Sequence, residues 1–319
     1  MNWRRAISLS VLLVAAVPLF AASEVVPGIY LIPGSFVPGS QPDGNTIVFT
    51  GRDGLVVVDS GRHVEHTQAI VDFARASKQP IKALINTHWH LDHIGGNALL
   101  RREYPDLRVY ASSALADAMK GFLANYRRQL EEIIPKTTDP EAQSAYRKEI
   151  EIIDSGPRLA PDVVVSTSGK QTIGGRDLSI GLERYAVTAG DIWILDPASG
   201  VLVSGDLVTL PAPFLDTACP AQWKESLDRL AKTDFDLLIP GHGPPLTRRQ
   251  FNVYRHAFDE LLVCGGSEAP KDACIDGWIS GVAALVPEKQ HDFTRKVMAY
   301  YVDVLRRAPA ETAKLCGKQ

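Results

Sequence analysis

The sequence predicts an α/β protein: one β-rich domain, a helical insertion and a helical C-terminal extension. Three observations carry that reading. Short aliphatic runs bounded by turn residues recur before residue 110 and again from about 163 to 242. Helix-period patterns separate or follow them. One strand-like run, "PIKALINTH", leads straight into a polar cluster, which puts that cluster at the carboxyl end of a strand, where α/β folds build sites.

Taken in order, the chain opens "MNWRRAISLSVLLVAAVPLFAAS". Arginines, a short apolar run and small residues form the layout of a signal peptide over residues 1–22, with cleavage after Ala22 or Ser23. The run is shorter than the ~20 residues a spanning helix needs, and Pro18 interrupts it, so no stable membrane anchor is expected. The expected address is secreted or periplasmic. A main domain over residues 24–250 follows. "GIYLIPG" and "NTIVFTGRDGLVVVDSG" fit strands, with "GRDG" as a hairpin turn. "HTQAIVDFARAS" has helical spacing.

Residues 113–153 read as the helical insertion, with Asp139 as a cap and Pro140 in the first turn of its second helix. Phe122, Tyr126 and Ile133 in it either line a substrate groove or pack the helices down; their spacing favours packing. Strands return from "VVVSTSGKQ" to "GVLVSGD". "WKESLDRLAKT" is an amphipathic helix, and "FDLLIPGHGPP" a strand ending in a glycine-rich loop. Helical patterns dominate the extension over residues 251–319.

Composition bounds the function. The 319 residues are 45% hydrophobic and 22% charged, with a net charge of −3. No global basic field draws nucleic acid or an anionic membrane, and a small-molecule substrate is the expected partner. The four cysteines are even in number, which in an exported chain suggests disulfides with three possible pairings. Cys264 and Cys274 bracket the turn-rich "GGSEAPKDA" and are expected to pair, leaving Cys219 with Cys316; unpaired buried thiols are the alternative.

The chemistry concentrates in "NTHWHLDHIGGN", residues 86–97. His88, His90, Asp92 and His93 fall within six positions of a chain that has eight histidines in all. Imidazole nitrogen and carboxylate oxygen both suit zinc, and a strand end followed by a loop can aim them at one point. Trp89 sits among them and is expected to point away from the ligands, as strand alternation would have it.

"HWHLDHIGG" resembles the HxHxDHxGG signature of the metallo-β-lactamase superfamily. Further pieces match in order: "GLVVVDSG" resembles the strand ending in a structural aspartate, here Asp59; "VLVSGDLV" the strand carrying a metal-bridging aspartate, here Asp206; and "IPGHGPP" the loop with the last histidine, here His242. The resemblance implies an αββα sandwich with the metal site at one edge between two sheets. It further implies a metal set of His88, His90, Asp92, His93, Asp206 and His242. The aspartate at position 206 makes the chain look more like the glyoxalase II and general-hydrolase branch than like true β-lactamases.

One piece departs from the family. Where it usually has a histidine in a phrase such as "GHTPG", this chain has "YAVTAGD", with Val187 at the ligand position. The first metal position would then keep His88, His90 and the shared Asp206; the second would keep Asp92, His93, Asp206 and His242. Valine offers no lone pair, so one zinc is expected to be held more firmly at the second position than at the first. Bound zinc lowers the pKa of water from about 16 to about 7. The expected activity is therefore hydrolysis of an ester, thioester, lactone or related bond by metal-bound hydroxide, with Asp92 as the group that orients the nucleophile or takes its proton. The alternative is a non-catalytic metal- or partner-binding protein on the same scaffold; β-lactam hydrolysis ranks below both.

Overall fold

The computed structural model describes residues 21–35, 41–307 and 313–317. The expected signal peptide falls almost wholly outside the described residues. Two sheets stack face to face with helices on both outer faces, the αββα sandwich.

The first sheet has the order β1 (Ser23–Val26), β2 (Ile29–Ile32), β3 (Thr46–Thr50), β4 (Leu55–Val58), β5 (Ile81–Ile85), β6 (Arg108–Ser112) and β7 (Val163–Val165). Its first four strands form an antiparallel meander, and from β4 onward neighbours run parallel. β4 is the unbroken run Leu-Val-Val-Val, buried throughout. That is the signature of a parallel strand covered on both faces. Alternation decides which side chain meets which layer. Phe49, Val56, Val58 and Ile85 point inward, while Val48, Leu55, Val57 and Leu84 point out to α1 (Val64–Ser77) and α3 (Asn97–Glu103). Between these helices, α2 (Leu91–Ile94) is a single turn.

The insertion forms α4 (Ala114–Lys120), α5 (Phe122–Ile133) and α6 (Pro140–Asp154). Asp139 caps α6, accepting from the Glu141 backbone N–H at 3.0 Å, with Pro140 at its start. The insertion packs Leu115, Leu123 and Ile153 onto Trp89, Leu91 and Ile94, so its core is continuous with the histidine loop.

The second sheet runs β8 (Gly169–Ile173), β9 (Arg176–Glu183), β10 (Asp191–Asp196), β11 (Val201–Thr209), β12 (Leu237–His242) and β13 (Leu246–Thr247). All its pairs are antiparallel except β11 with β12. Ile180, Ile192, Ile194, Val203 and Ile239 close the inter-sheet core. The outer face carries α7 (Pro220–Leu230), α8 (Arg248–Gly265), α9 (Lys271–Gly281) and α10 (His291–Leu305) through Trp223, Phe251, Phe258, Trp278 and Met298. Thr247 and Gln250 form a capping box that starts α8.

Both expected disulfides are present, Cys219–Cys316 and Cys264–Cys274. Two expectations need correcting. Val187 is not on a strand: it lies in the irregular link between β9 and β10, where Tyr185 has φ of 57° and the Asp191 carboxylate ties down Thr188. Trp89 does not follow strand alternation either, because β5 ends at Ile85 and the chain turns before reaching it.

Candidate metal centre

The parallel pairs set the place of the site. β4, β5, β11 and β12 all deliver their carboxyl ends to one edge of the sandwich. Asp59 follows β4 directly, β5 leads to His88 and His90, and α2 carries Asp92 and His93. From the facing sheet come Asp206 on β11 and His242 at the end of β12. Asp206 is aimed inward by a kink. Gly205 has φ of 51°, the register against β12 shifts there, and a Cβ on it would stand 2.6 Å from that of Thr87.

Two groups of ligand-type residues result: His88, His90 and Asp206, and Asp92, His93 and His242, the atoms within each lying within 4.8 Å of one another. In the second group Asp206 also takes part through its other oxygen. Its Oδ1 stands 3.2 Å from His93 Nε2 and 3.6 Å from His242 Nε2; Asp92 Oδ2 stands 3.0 Å from His242 Nε2 and 3.6 Å from His93 Nε2. Donor atoms ~2.0 Å from a tetrahedral zinc are about 3.3 Å apart. His93 Nε2 and Asp206 Oδ1 are buried and have no hydrogen-bond partner. Buried polar atoms of native proteins are normally satisfied, so the four atoms fit a cation.

The hydrogen bonds around the imidazoles decide where their lone pairs point. Thr87 Oγ1 donates to Asp59 Oδ2 at 2.7 Å, so at 3.0 Å it accepts from His88 Nδ1. Thr217 Oγ1 donates to the Val187 carbonyl at 2.9 Å, so at 2.9 Å it accepts from His90 Nε2. His93 Nδ1 donates to Asp59 Oδ2 at 2.7 Å. The remaining nitrogens, His88 Nε2, His90 Nδ1 and His93 Nε2, all face the centre with a free pair. Asp59 thus holds two of the three rings, one directly and one through Thr87.

The field matches. Burial holds the His88 imidazole well below its usual range and takes His90 down to about 4, so both are neutral donors. Burial also pushes His93 down, but the carboxylates of Asp206, Asp59 and Asp92 outweigh it and hold that ring well above its usual value. Three carboxylates around one imidazole make a cation-seeking site. Asp92 is held well below the carboxylate range: burial opposes this, and His93, His242 and Arg62 prevail.

Arg62 carries no sequence signal that marks it. Its side chain is 9% exposed, its Nη2 lies 3.6 Å from Asp92 Oδ1, and its Nη1 donates to Glu149 of α6. Tyr126 adds a hydroxyl to the same glutamate at 3.4 Å. The insertion therefore fixes Asp92 from behind.

A cavity of about 440 Å³ opens onto the centre. His90, Asp92, Asp206 and His242 form its floor, and Trp89, Phe122, Tyr126 and Phe214 its near walls. The Trp89 ring meets His90 edge-on at 4.7 Å, so it borders the site as well as packing the insertion. Phe122 and Tyr126 line the cavity; Ile133 does not, and is 44% exposed. The far wall, Phe293, Val297 and Tyr301 of α10, had no mark in the sequence beyond helical spacing.

A two-sheet sandwich with a histidine–aspartate centre at the carboxyl ends of its parallel strands defines a class of metal-centre α/β proteins. This chain belongs to the metallo-beta-lactamase superfamily, whose family model matches residues 40–242. Among similar proteins, linear primary-alkylsulfatase from Pseudomonas sp. (strain ATCC 19151) is 27% identical over 62% of this chain and 41% of its own length. The chain thus spans less than half of that relative. Two solved structures share the fold. The stereoselective inverting sec-alkylsulfatase from Pseudomonas sp. has a TM-score of 0.59 at 20% identity, covering 88% of this chain and 49% of that one. A metallo-beta-lactamase from Pontibacter korlensis has a TM-score of 0.55 at 20% identity, covering 72% and 94%. No helix among the described residues is long and apolar enough to cross a membrane.

Proposed function

We propose that this chain is an exported, zinc-dependent hydrolase that cleaves an ester, thioester, lactone or related bond of a small molecule. The observation that carries the reading is the convergence of Asp92 Oδ2, His93 Nε2, Asp206 Oδ1 and His242 Nε2, with 3.0–3.6 Å between neighbours. These four would hold one ion. His88, His90 and the other oxygen of Asp206 would hold a second, more weakly, because Val187 adds no donor. Nitrogen and oxygen donors in fourfold arrangement favour zinc.

Bound there, the ion supplies Lewis acidity and a water of lowered pKa. The chain's own residues do the rest. Asp59, Thr87 and Thr217 lock the three imidazoles of the histidine loop. Arg62, braced by Glu149, would hold Asp92 Oδ1 while Oδ2 faces the centre, and the Asp92 carboxylate would orient the attacking water and take its proton. The two disulfides support an oxidising compartment, and Asp206 supports the general-hydrolase branch over β-lactam hydrolysis.

The purified, zinc-loaded protein should turn over at least one member of a panel of activated esters, thioesters and lactones. Chelation should stop the reaction and zinc should restore it. Val187, aligned by resemblance with the family's missing histidine and fully buried, favours the accessory-protein reading enough to keep it in view. Absence of turnover across the whole panel with metal fully loaded would favour that second reading over the first.

A further inference from the structure

We infer that α10 is the specificity element of the site, and that it selects a substrate whose scissile bond carries an uncharged alkyl or acyl chain. The inference rests on the hydrolase reading for the position of the bond, and on the cavity wall for the nature of the chain.

The wall is mainly apolar, with Gln41, Tyr126, Thr209 and Tyr301 as its polar members away from the centre. Away from the centre the cavity is bordered by Trp89, Phe122, Leu123, Phe214, Phe293 and Val297. Among the described residues that line it, Arg62 alone is a lysine or arginine, and it is already paired with Glu149 and Asp92. An anionic group seated against this wall, away from the centre, would find no unpaired lysine or arginine among the described lining residues, and burying an unpaired charge is costly. An apolar chain gains what the charge would lose. The cavity's volume, about 440 Å³, lies within the range of small-ligand sites.

The wall is also pinned. Tyr300 of α10 donates its hydroxyl to Asp216, and Arg307 donates to the Tyr300 oxygen at 3.0 Å. Asp216 lies between Phe214, which faces the cavity, and Thr217, which holds His90. The Phe214 ring in turn packs 4.9 Å from His90 and 6.1 Å from Tyr301. The helix that meets the chain and the loop that sets the ligand are thus one braced unit, with the chain's seat directly over the first metal position.

The test uses metal-chelating hydroxamates, whose binding needs no turnover. Calorimetry on the zinc-loaded full chain should show octanohydroxamate binding more tightly than acetohydroxamate, by about fourfold for each added methylene that the cavity holds. Phe293→Ala and Val297→Asp should each reduce that preference at least tenfold, with the acid having the larger effect. Both side chains are half-buried, and Val297 also packs against the helical core, so each variant's thermal melt is recorded beside the calorimetry and Phe293→Ala carries the test if Val297→Asp unfolds. Equal affinity for the short and long hydroxamates, or a preference untouched by both variants, would overturn the inference even if esters were hydrolysed. A chain-length preference in a protein that turns over nothing would uphold the wall and remove the hydrolase reading.

Discussion

His88 Nε2 and His90 Nδ1 lie 2.8 Å apart, and the other nitrogen of each ring is already bonded to a threonine hydroxyl. Two lone pairs at that distance repel unless a cation lies between or beside them. The pair therefore fits a cation beside it, and the two positions proposed above differ in how complete their donor sets are.

The inequality gives the first prediction. Mature protein dialysed against limiting zinc should hold close to one ion per chain by elemental analysis. Val187→His should bring it toward two, at a packing cost of about 1–3 kcal/mol because Val187 is fully buried. Two ions in the unaltered protein under the same dialysis would remove the role assigned to the valine.

Thr217 is the hinge between Val187 and His90. Thr217→Val keeps the shape but removes the acceptor for His90 Nε2–H, so affinity at the first position should fall about 10–100-fold. The second position should keep its affinity, and Thr217→Ser should restore the first. Competitive titration with a chromophoric chelator separates the two steps.

Arg62 is a stability prediction. Arg62→Met leaves Glu149, 5% exposed, without its cation, which should cost about 3–5 kcal/mol in chemical denaturation of the holoprotein. Adding Glu149→Leu should recover much of that loss. If the double variant were no more stable than the single one, the pair would not be the source of the cost.

His66 gives a pH dependence outside the metal ligands. Burial takes its imidazole down to about 4, partly offset by Asp43, and its Nε2 lies 2.9 Å from the Thr46 hydroxyl. A folded-state value below the unfolded 6.5 means the unfolded chain binds the proton more readily. The contribution is therefore whole above pH 6.5 and is lost as pH falls toward 4, by up to ~3 kcal/mol. Denaturation of wild type and His66→Gln across pH 4–7 should show a shallower acid loss in the variant. Parallel slopes would refute it.

The sequence was most readable where donors crowd together. Six positions of "HWHLDH" placed four site residues, and Asp206 and His242 followed because each sits in a short phrase at a strand end. Strand alternation failed at Trp89, which lies past the end of β5, where period two no longer governs direction; Val187 likewise lies past the end of β9 rather than on a strand. Arg62, Thr217 and the α10 residues went unseen for a different reason. Their roles come from contacts with distant parts of the chain, Thr217 with His90 and Arg62 with Glu149. The apolar face of α10 has the same spacing whether it covers a core or a cavity.

The superfamily match ends at residue 242, and α10 begins at His291. The candidate ligands and the α10 face of the cavity thus come from separate stretches of polypeptide, while Trp89, Phe122 and Phe214 belong to the matched region. Replacing one helix would retune which molecules are admitted while every ligand stayed in place, so kinship recorded by the ligands is a poor guide to diet.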